Sequence, residues 1–215
     1  MTNISKEVWK IIDLDAALKK NLLAGLINIS ALARKIAFEY GFKNNIDAVI
    51  SAIRRYEGNT EKKDILKETY ELLKKSKLST KTKLASVLFK KNSPTRKKLA
   101  ELYSKIEFEM GDILRIFEVS KYIKIIVDQK TVSSVKKIFE EKDILEITLS
   151  VGELSIEYNQ NITKTPGIFA TLSNELAINN ISIVDSMICY YEHIIIVNEK
   201  DIESAFKVIF NLTRN

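Results

Sequence analysis

The chain has one cysteine, one histidine and no long apolar run among its 215 residues, and each scarcity closes off a class of function. A single thiol, Cys189, permits no internal disulfide and no cysteine-based zinc site. Set in a β-rich stretch, it reads as a buried structural residue. The single histidine, His193, stands beside Tyr190 and Tyr191 and reads as a packed or surface side chain rather than a base or ligand. There is no glycine-rich phosphate loop, no cluster with metal-ligand spacing and no nucleophile motif. The carboxylates show no spacing that implies paired acid–base work. Neither an enzyme nor a metal or cofactor is therefore expected. No apolar run approaches the ~18 residues that cross a bilayer. The opening residues, MTNISKEVWK, lack the apolar core of a signal peptide, so a cytoplasmic protein with no membrane partner is expected.

What is present suits one large or two small soluble domains: 46% hydrophobic and 29% charged residues. The net charge of +6 is uneven. Residues 1–107 carry 23 Lys and Arg against 12 Asp and Glu, and residues 108–215 carry 11 against 16. A basic front part fits an anionic partner, most simply nucleic acid, or a Lys-rich surface kept for solubility.

Three helices are expected at the front. Residues 5–24 show an imperfect apolar stripe (Val8, Ile11, Ile12, Leu14, Leu18) closed by Gly25. Ser30 can cap a compact helix, ALARKIA, closed by Gly41. Ile46 to Tyr56 form the third, with Ile46, Val49, Ile50 and Ile53 apolar. Such an order fits a helix-turn-helix-like module over 1–58. Placed in a major groove, the third helix would present Asn45, Asp47, Ala48, Ser51, Ala52 and Arg55. Phosphate contacts would come from Arg34, Lys35, Lys43, Arg54 and Arg55. The candidate DNA-binding set is Ser30, Arg34, Lys35, Lys43, Asn45, Ser51, Arg54 and Arg55. The other reading is a protein-interaction or dimerisation head. Residues 59–82 read as a linker helix and hinge: an amphipathic helix over 59–76, capped by Thr60, with Glu61 in its first turn and Leu66, Tyr70 and Leu73 on one side. A Lys/Ser/Thr hinge at Ser76 to Thr82 ends it.

The rest carries an internal repeat with a period near 70. VDQKTVSSVKKI lies over VNEKDIESAFKV, with Val127/Val197, Lys130/Lys200, Ser134/Ser204 and Lys137/Lys207 identical. Ahead of it, Leu99/Phe169, Ala100/Ala170 and Leu102/Leu172 share an apolar pattern. The first copy, 83–150, reads as βαββαβ. The second, 151–215, reads as strand 153–158, helix 166–178, strand 181–189, strand 193–198 and helix 200–212, without a final strand. The expected fold is α+β: a three-helix module followed by tandem ferredoxin-like βαββαβ domains.

In the second copy Thr165 can cap a helix and Pro166 fits its first turn, while Gly167 lets backbone come close to a ligand. Asn179 and Asn180 suit its left-handed C-terminal cap, and Ile194 to Val197 form a strand. The residues Thr165-Pro166-Gly167-Ile168, the turn from Leu176-Ala177 to Ile181-Ser182-Ile183, and that strand resemble the ACT domain of aspartokinases and of archaeal regulators of amino-acid metabolism. SALARKI with IDAVISAIRRYE likewise resembles helices of winged-helix regulators and the N-terminal segment of archaeal ACT-containing proteins. The ACT resemblance implies a ferredoxin-like fold, a free amino acid as effector, and a homodimer or higher homo-oligomer. It implies a ligand between the loop leading into the first helix and the second strand, at Ile162, Thr165, Pro166, Gly167, Ile168, Asn180, Ile181, Ser182 and Asp185. Asn180 stands where the family's turn usually has Gly, and Ser182 where it often has Asn. The first copy, with Asn92-Ser93-Pro94-Thr95-Arg96 at the matching place, is expected to be structural or degenerate. Two functions follow: an amino-acid-responsive transcriptional regulator, or an ACT subunit that modulates an enzyme of amino-acid metabolism or serves as a dimerisation scaffold without touching DNA.

Overall fold

The structure is a computed structural model, and it describes residues 4–59 and 67–214. The chain divides into two compact units, Met1–Asp64 and Ile65–Asn215.

The first unit is helical: α1 (Ile4–Leu14), α2 (Ala16–Leu23), α3 (Ile29–Glu39) and α4 (Ile46–Asn59). The expected first helix is two helices, because the Asp15 side chain accepts from the Leu18 amide and starts a new one. Similarly Asn28, not Ser30, caps α3, accepting from the Ala31 amide at 3.0 Å, which places Ser30 inside the first turn. Gly41, at φ +79°, closes α3, and a short 3-10 turn at Lys43–Asn45 leads into α4. Val8, Ile12, Leu32, Ile36, Val49 and Ile53 form the centre of the core. The face expected to read bases is partly inside. Ala52 is fully buried, and its carbonyl accepts from Trp9 Nε1 at 2.8 Å. Arg55 Nη2 donates to Ser5 Oγ at 2.7 Å, fastening α4 to α1.

The second unit opens with α5 (Lys67–Lys74), inside the stretch expected as a linker helix; Thr60, Glu61 and Leu66 lie outside the described residues. There follow β1 (Lys77–Lys90), α6 (Ser93–Tyr103), β2 (Leu114–Glu118), β3 (Tyr122–Asp128), α7 (Val132–Ile138), β4 (Ile144–Glu157), α8 (Ile168–Ile178), β5 (Ile183–Cys189), β6 (Glu192–Asn198) and α9 (Ile202–Arg214). One antiparallel sheet results, in the order β2-β3-β1-β4-β6-β5.

The expected hinge is therefore strand. Lys77 to Lys81 pair with Glu157 to Glu153 and act as the fourth strand of the second half, the one its own sequence lacks. The first half takes its fourth strand from the start of β4, where Ile144 pairs with Phe89 and Thr148 with Ser86. Each half then has the ferredoxin-like strand order, and the first is inserted into the second. The last strand expected of the first copy and the strand expected at 153–158 are one, β4. Both shared strands carry an irregularity midway, at Lys83 (φ +57°) and Ser150 (φ +55°). The Lys/Thr-rich start of β1 is exposed and bonded on one side only, the usual dress of a strand edge.

Outward-facing residues meet the helices. Val87, Phe89, Ile123 and Ile125 pack under α6 and α7, and Leu154, Ile156, Ile195 and Val197 pack under α5, α8 and α9. The inner face is also apolar, with Leu84, Ile113, Ile126, Val151, Ile194 and Ile196. Coverage on both faces explains the unbroken run Ile194 to Val197. Lys124 on β3 reaches Asp185 on β5 at 2.8 Å. In a flat sheet those strands would stand about 19 Å apart, so the sheet curls until its two ends face one another. At Gly152 α9 lies close against the sheet: a Cβ there would stand 3.1 Å from Ile202.

Candidate functional site

Nine residues, Tyr158 to Pro166, connect β4 to the cap of α8, whereas Lys91 alone separates β1 from the cap of α6. The extra length shifts the helices relative to the 70-residue repeat, so Asn92 corresponds to Gly167 and the expected pairing of Leu99 with Phe169 is out of register. A long loop on a rigid sheet is where binding residues tend to collect.

Gly167, at φ +92°, is itself the N-cap of α8 and offers no side chain to it. Thr165 and Pro166, expected as cap and first turn, lie in the turn before it. A left-handed residue is needed there to bring the loop over the helix, and glycine takes that conformation without cost. The Thr165 amide donates to the Ile162 carbonyl at 3.0 Å, and the Ile162 amide donates to Tyr190 O at 3.0 Å. Thr165 Oγ1 donates to Glu68 at 3.4 Å, and Thr69 Oγ1 donates to the Pro166 carbonyl at 2.9 Å. The Thr171 amide bonds the Gly167 carbonyl at 2.8 Å. The amides of Ile168, Phe169 and Ala170 come before any intrahelical partner and have no side-chain cap among the described residues, so they lie at the positive pole of the helix.

At the same place in the first half the Asn92 side chain accepts from the Thr95 amide at 2.7 Å and donates to the buried Asp143 at 2.8 Å. That helix end is closed by the chain's own groups.

The other candidate positions lie elsewhere. Asn180 is left-handed (φ +57°), as expected of the C-terminal cap, with its amide on the Ala177 carbonyl. Ile181 is buried and Ser182 exposed. All three sit past the far end of α8, about 16 Å from Gly167 along the helix by its rise per residue. Asp185 is on the inner face, paired with Lys124. A register shift between Ile183 and Asp185 put it there: Ile183 pairs with Val197 on the helix side, but Asp185 pairs with Ile196 on the other. Within one chain, then, Ile162 and Thr165 to Ile168 come together, and Asn180, Ile181, Ser182 and Asp185 do not join them.

Other residues do. His193 is fully buried; its ring stacks on Phe169 in the first turn of α8, and its Nε2 shares a 2.8 Å hydrogen bond with Ser186 Oγ. Burial lowers its pKa to about 4. Its Nδ1, Tyr158 OH and Thr171 Oγ1 are buried with no hydrogen-bond partner among the described residues. Phe169, Tyr190 and Tyr191 are each about half exposed around this end of the sheet, and Cys189, expected inside, is exposed. Aromatic residues beside a lone histidine were visible in the sequence, but Glu68 and Thr69 carried no signal. Among the described residues no group of three or more His, Cys, Asp or Glu could hold a metal ion, and no helix is long and apolar enough to cross a membrane.

Of the candidate DNA-contacting residues, Arg34, Lys35, Lys43, Asn45, Ser51, Arg54 and Arg55 are exposed and Ser30 half-buried. Lys43 lies over the Phe38 ring at 4.4 Å, and Lys35 lines a cleft with Glu7, Lys10 and Glu39. The basic surplus is not centred there: residues 1–64 carry 11 Lys and Arg against 8 Asp and Glu, whereas 65–107 carry 12 against 4.

Residues 149–209 match the ACT domain family, a stretch that runs from the midpoint of β4 into α9. No curated protein matches the chain. Among solved structures, the aspartate kinase of Clostridium acetobutylicum, described as an allosteric enzyme, is similar at 19% identity and a TM-score of 0.51, over 63% of this chain and 34% of that one. A structure of aspartokinase alpha and beta subunits is similar at 14% identity and a TM-score of 0.51, over 64% of this chain and 97% of that one. At such identities the likeness is one of fold, and the chain spans about a third of the Clostridium enzyme.

Proposed function

We propose that the chain is an amino-acid-binding regulatory protein whose effector places its carboxylate at the N-terminus of α8. The observation that carries this is the uncapped helix end at Gly167, inside the ACT-matching stretch, beside a counterpart in the first half that Asn92 closes. Ile162, Thr165, Pro166, Gly167 and Ile168 shape the site. In a homodimer or higher homo-oligomer, Asn180 to Ser182 of another copy would complete it, whereas Asp185 stays on the inner face with Lys124. We read both halves as ACT-like, with the first serving structure. Thermal unfolding against the twenty amino acids, each at about 1 mM, should yield at least one hit. A ligand at 100 times its Kd stabilises by about 2.7 kcal/mol, a shift of several degrees. In Gly167→Val, a β-branched residue forced to positive φ, that shift should vanish while the circular dichroism stays native. Silence across the panel would remove the effector reading and leave a scaffold that modulates a partner enzyme.

A DNA-contacting role for the helical unit comes second. Exposed Arg34, Lys35, Lys43 and Arg54 favour it; the modest charge of residues 1–64, the inward Ala52 and the fastened Arg55 weigh against it. It requires salt-sensitive duplex binding. Replacing Arg34 and Arg54 with Ala should lower the slope of log affinity against log salt by about 1.8. No duplex binding at low salt would end this reading.

A further inference from the structure

Helix α5 is an addition to the ferredoxin-like order, and it is docked on the turn that shapes α8. A surface helix owes most of its stability to the packing of its apolar face rather than to propensity. Leu72 and Leu73 are buried in the cluster that contains Ile168, Leu172 and Leu176. Thr69 is fully buried, and its hydroxyl donates to the Pro166 carbonyl at 2.9 Å, across 97 residues of sequence. One residue before it, Glu68 accepts from Thr165 Oγ1. Both bonds end on Thr165-Pro166, immediately before the left-handed Gly167. Fixing the Pro166 carbonyl fixes the plane of the Pro166–Gly167 peptide, and so the direction in which α8 begins and its free amides point.

We propose that Thr69 is a positioning residue of the effector site, and that docking of α5 and binding of the effector reinforce one another. This rests on the reading of the α8 N-terminus as that site. A carboxylate on the amides of Ile168 to Ala170 orders the same turn that Thr69 and Glu68 hold. Whatever stability the effector adds to the turn must reappear as firmer docking of α5, because coupling between two binding events is reciprocal.

The test uses the full chain, Thr69→Val, which keeps shape and loses the hydroxyl, and Thr69→Ser, which keeps it. The probe is the amino acid that stabilises the wild-type chain in the melting panel. Thr69→Val should weaken its binding about five- to tenfold, the weight of one hydrogen bond, with Thr69→Ser close to wild type. The same amino acid should slow amide hydrogen exchange in residues 67–74 of the wild-type chain. A Thr69→Val chain that melts lower yet binds with unchanged affinity would make Thr69 structural only and overturn the proposal. So would an effector that leaves α5 exchange unchanged. Should no amino acid bind the wild-type chain, the effector reading fails, and positioning is judged on the free chain. There Thr69→Val, but not Thr69→Ser, should speed exchange of the Thr165 and Thr171 amides, and equal rates would overturn it.

Discussion

Arg115→Met should destabilise the second unit by about 3–5 kcal/mol, the cost of leaving a buried charge without its partner. Arg115 on β2 meets Glu153 on β4 in a two-pronged pair, Nε to Oε2 at 3.1 Å and Nη2 to Oε1 at 2.9 Å. Glu153 is only 1% exposed. The bond to Glu153 holds the guanidinium charged more firmly than usual, against the opposing effect of burial, with Glu192 adding its field. Two strands lie between β2 and β4 in the sheet, so the pair spans the inner face and helps keep the ends curled towards one another. Met keeps the length of the side chain and its apolar stem but leaves the carboxylate alone in a low-dielectric interior. Urea unfolding would read the loss as a lower midpoint at unchanged slope. The pair itself need not be worth so much. Arg115→Met with Glu153→Leu should recover most of the loss, since replacing a whole buried pair by apolar residues is often neutral. A single-variant loss below about 1 kcal/mol would mean that Glu153 finds water when Arg115 is gone.

The residues that were legible in the sequence act through their neighbours. The helix capped near Asn180 and the hairpin into Ile194 to Val197 depend on local periodicity and turn chemistry, and the structure has them. The fourth strand of the second half was not legible. Lys77 to Lys81 have the composition of a linker because they lie exposed at an edge, and nothing local says that they pair with Glu153 to Glu157. Asp185 was misplaced for a related reason. Strict alternation from Ile183 would turn it towards the helices, and one bulge sends it to the other face. At the candidate site, Gly167 was legible as a residue without a side chain that lets backbone come close, while its positive φ and its role as cap in place of Thr165 were not. The part that α5 plays was out of reach altogether, since it joins Thr69 to Pro166 through a fold that brings distant segments together.

His193 should make the protein lose stability between about pH 6.5 and pH 4. Burial lowers its pKa to about 4 in the folded chain, against about 6.5 in an unfolded one. Above pH 6.5 the imidazole is neutral in both states and pH has no hold on it. From 6.5 down to 4 the unfolded chain takes up a proton that the folded chain refuses, so stability falls as pH falls. Below 4 both states are charged and the loss is complete, on the order of 3 kcal/mol. The surroundings give the charged ring little help. Its face lies on Phe169 and its Nε2 on Ser186, and the first turn of α8 that carries Phe169 is the positive pole of that helix. His193 is the only histidine, so His193→Gln isolates the effect: both chains share every carboxylate, and only the wild type should show the extra slope. A difference curve that stays flat from pH 7 to pH 4 would mean that the imidazolium reaches solvent or a counter-charge. If the effector sits on the α8 amides, its melting shift should shrink over the same window, because a proton on His193 loosens the turn from which those amides point.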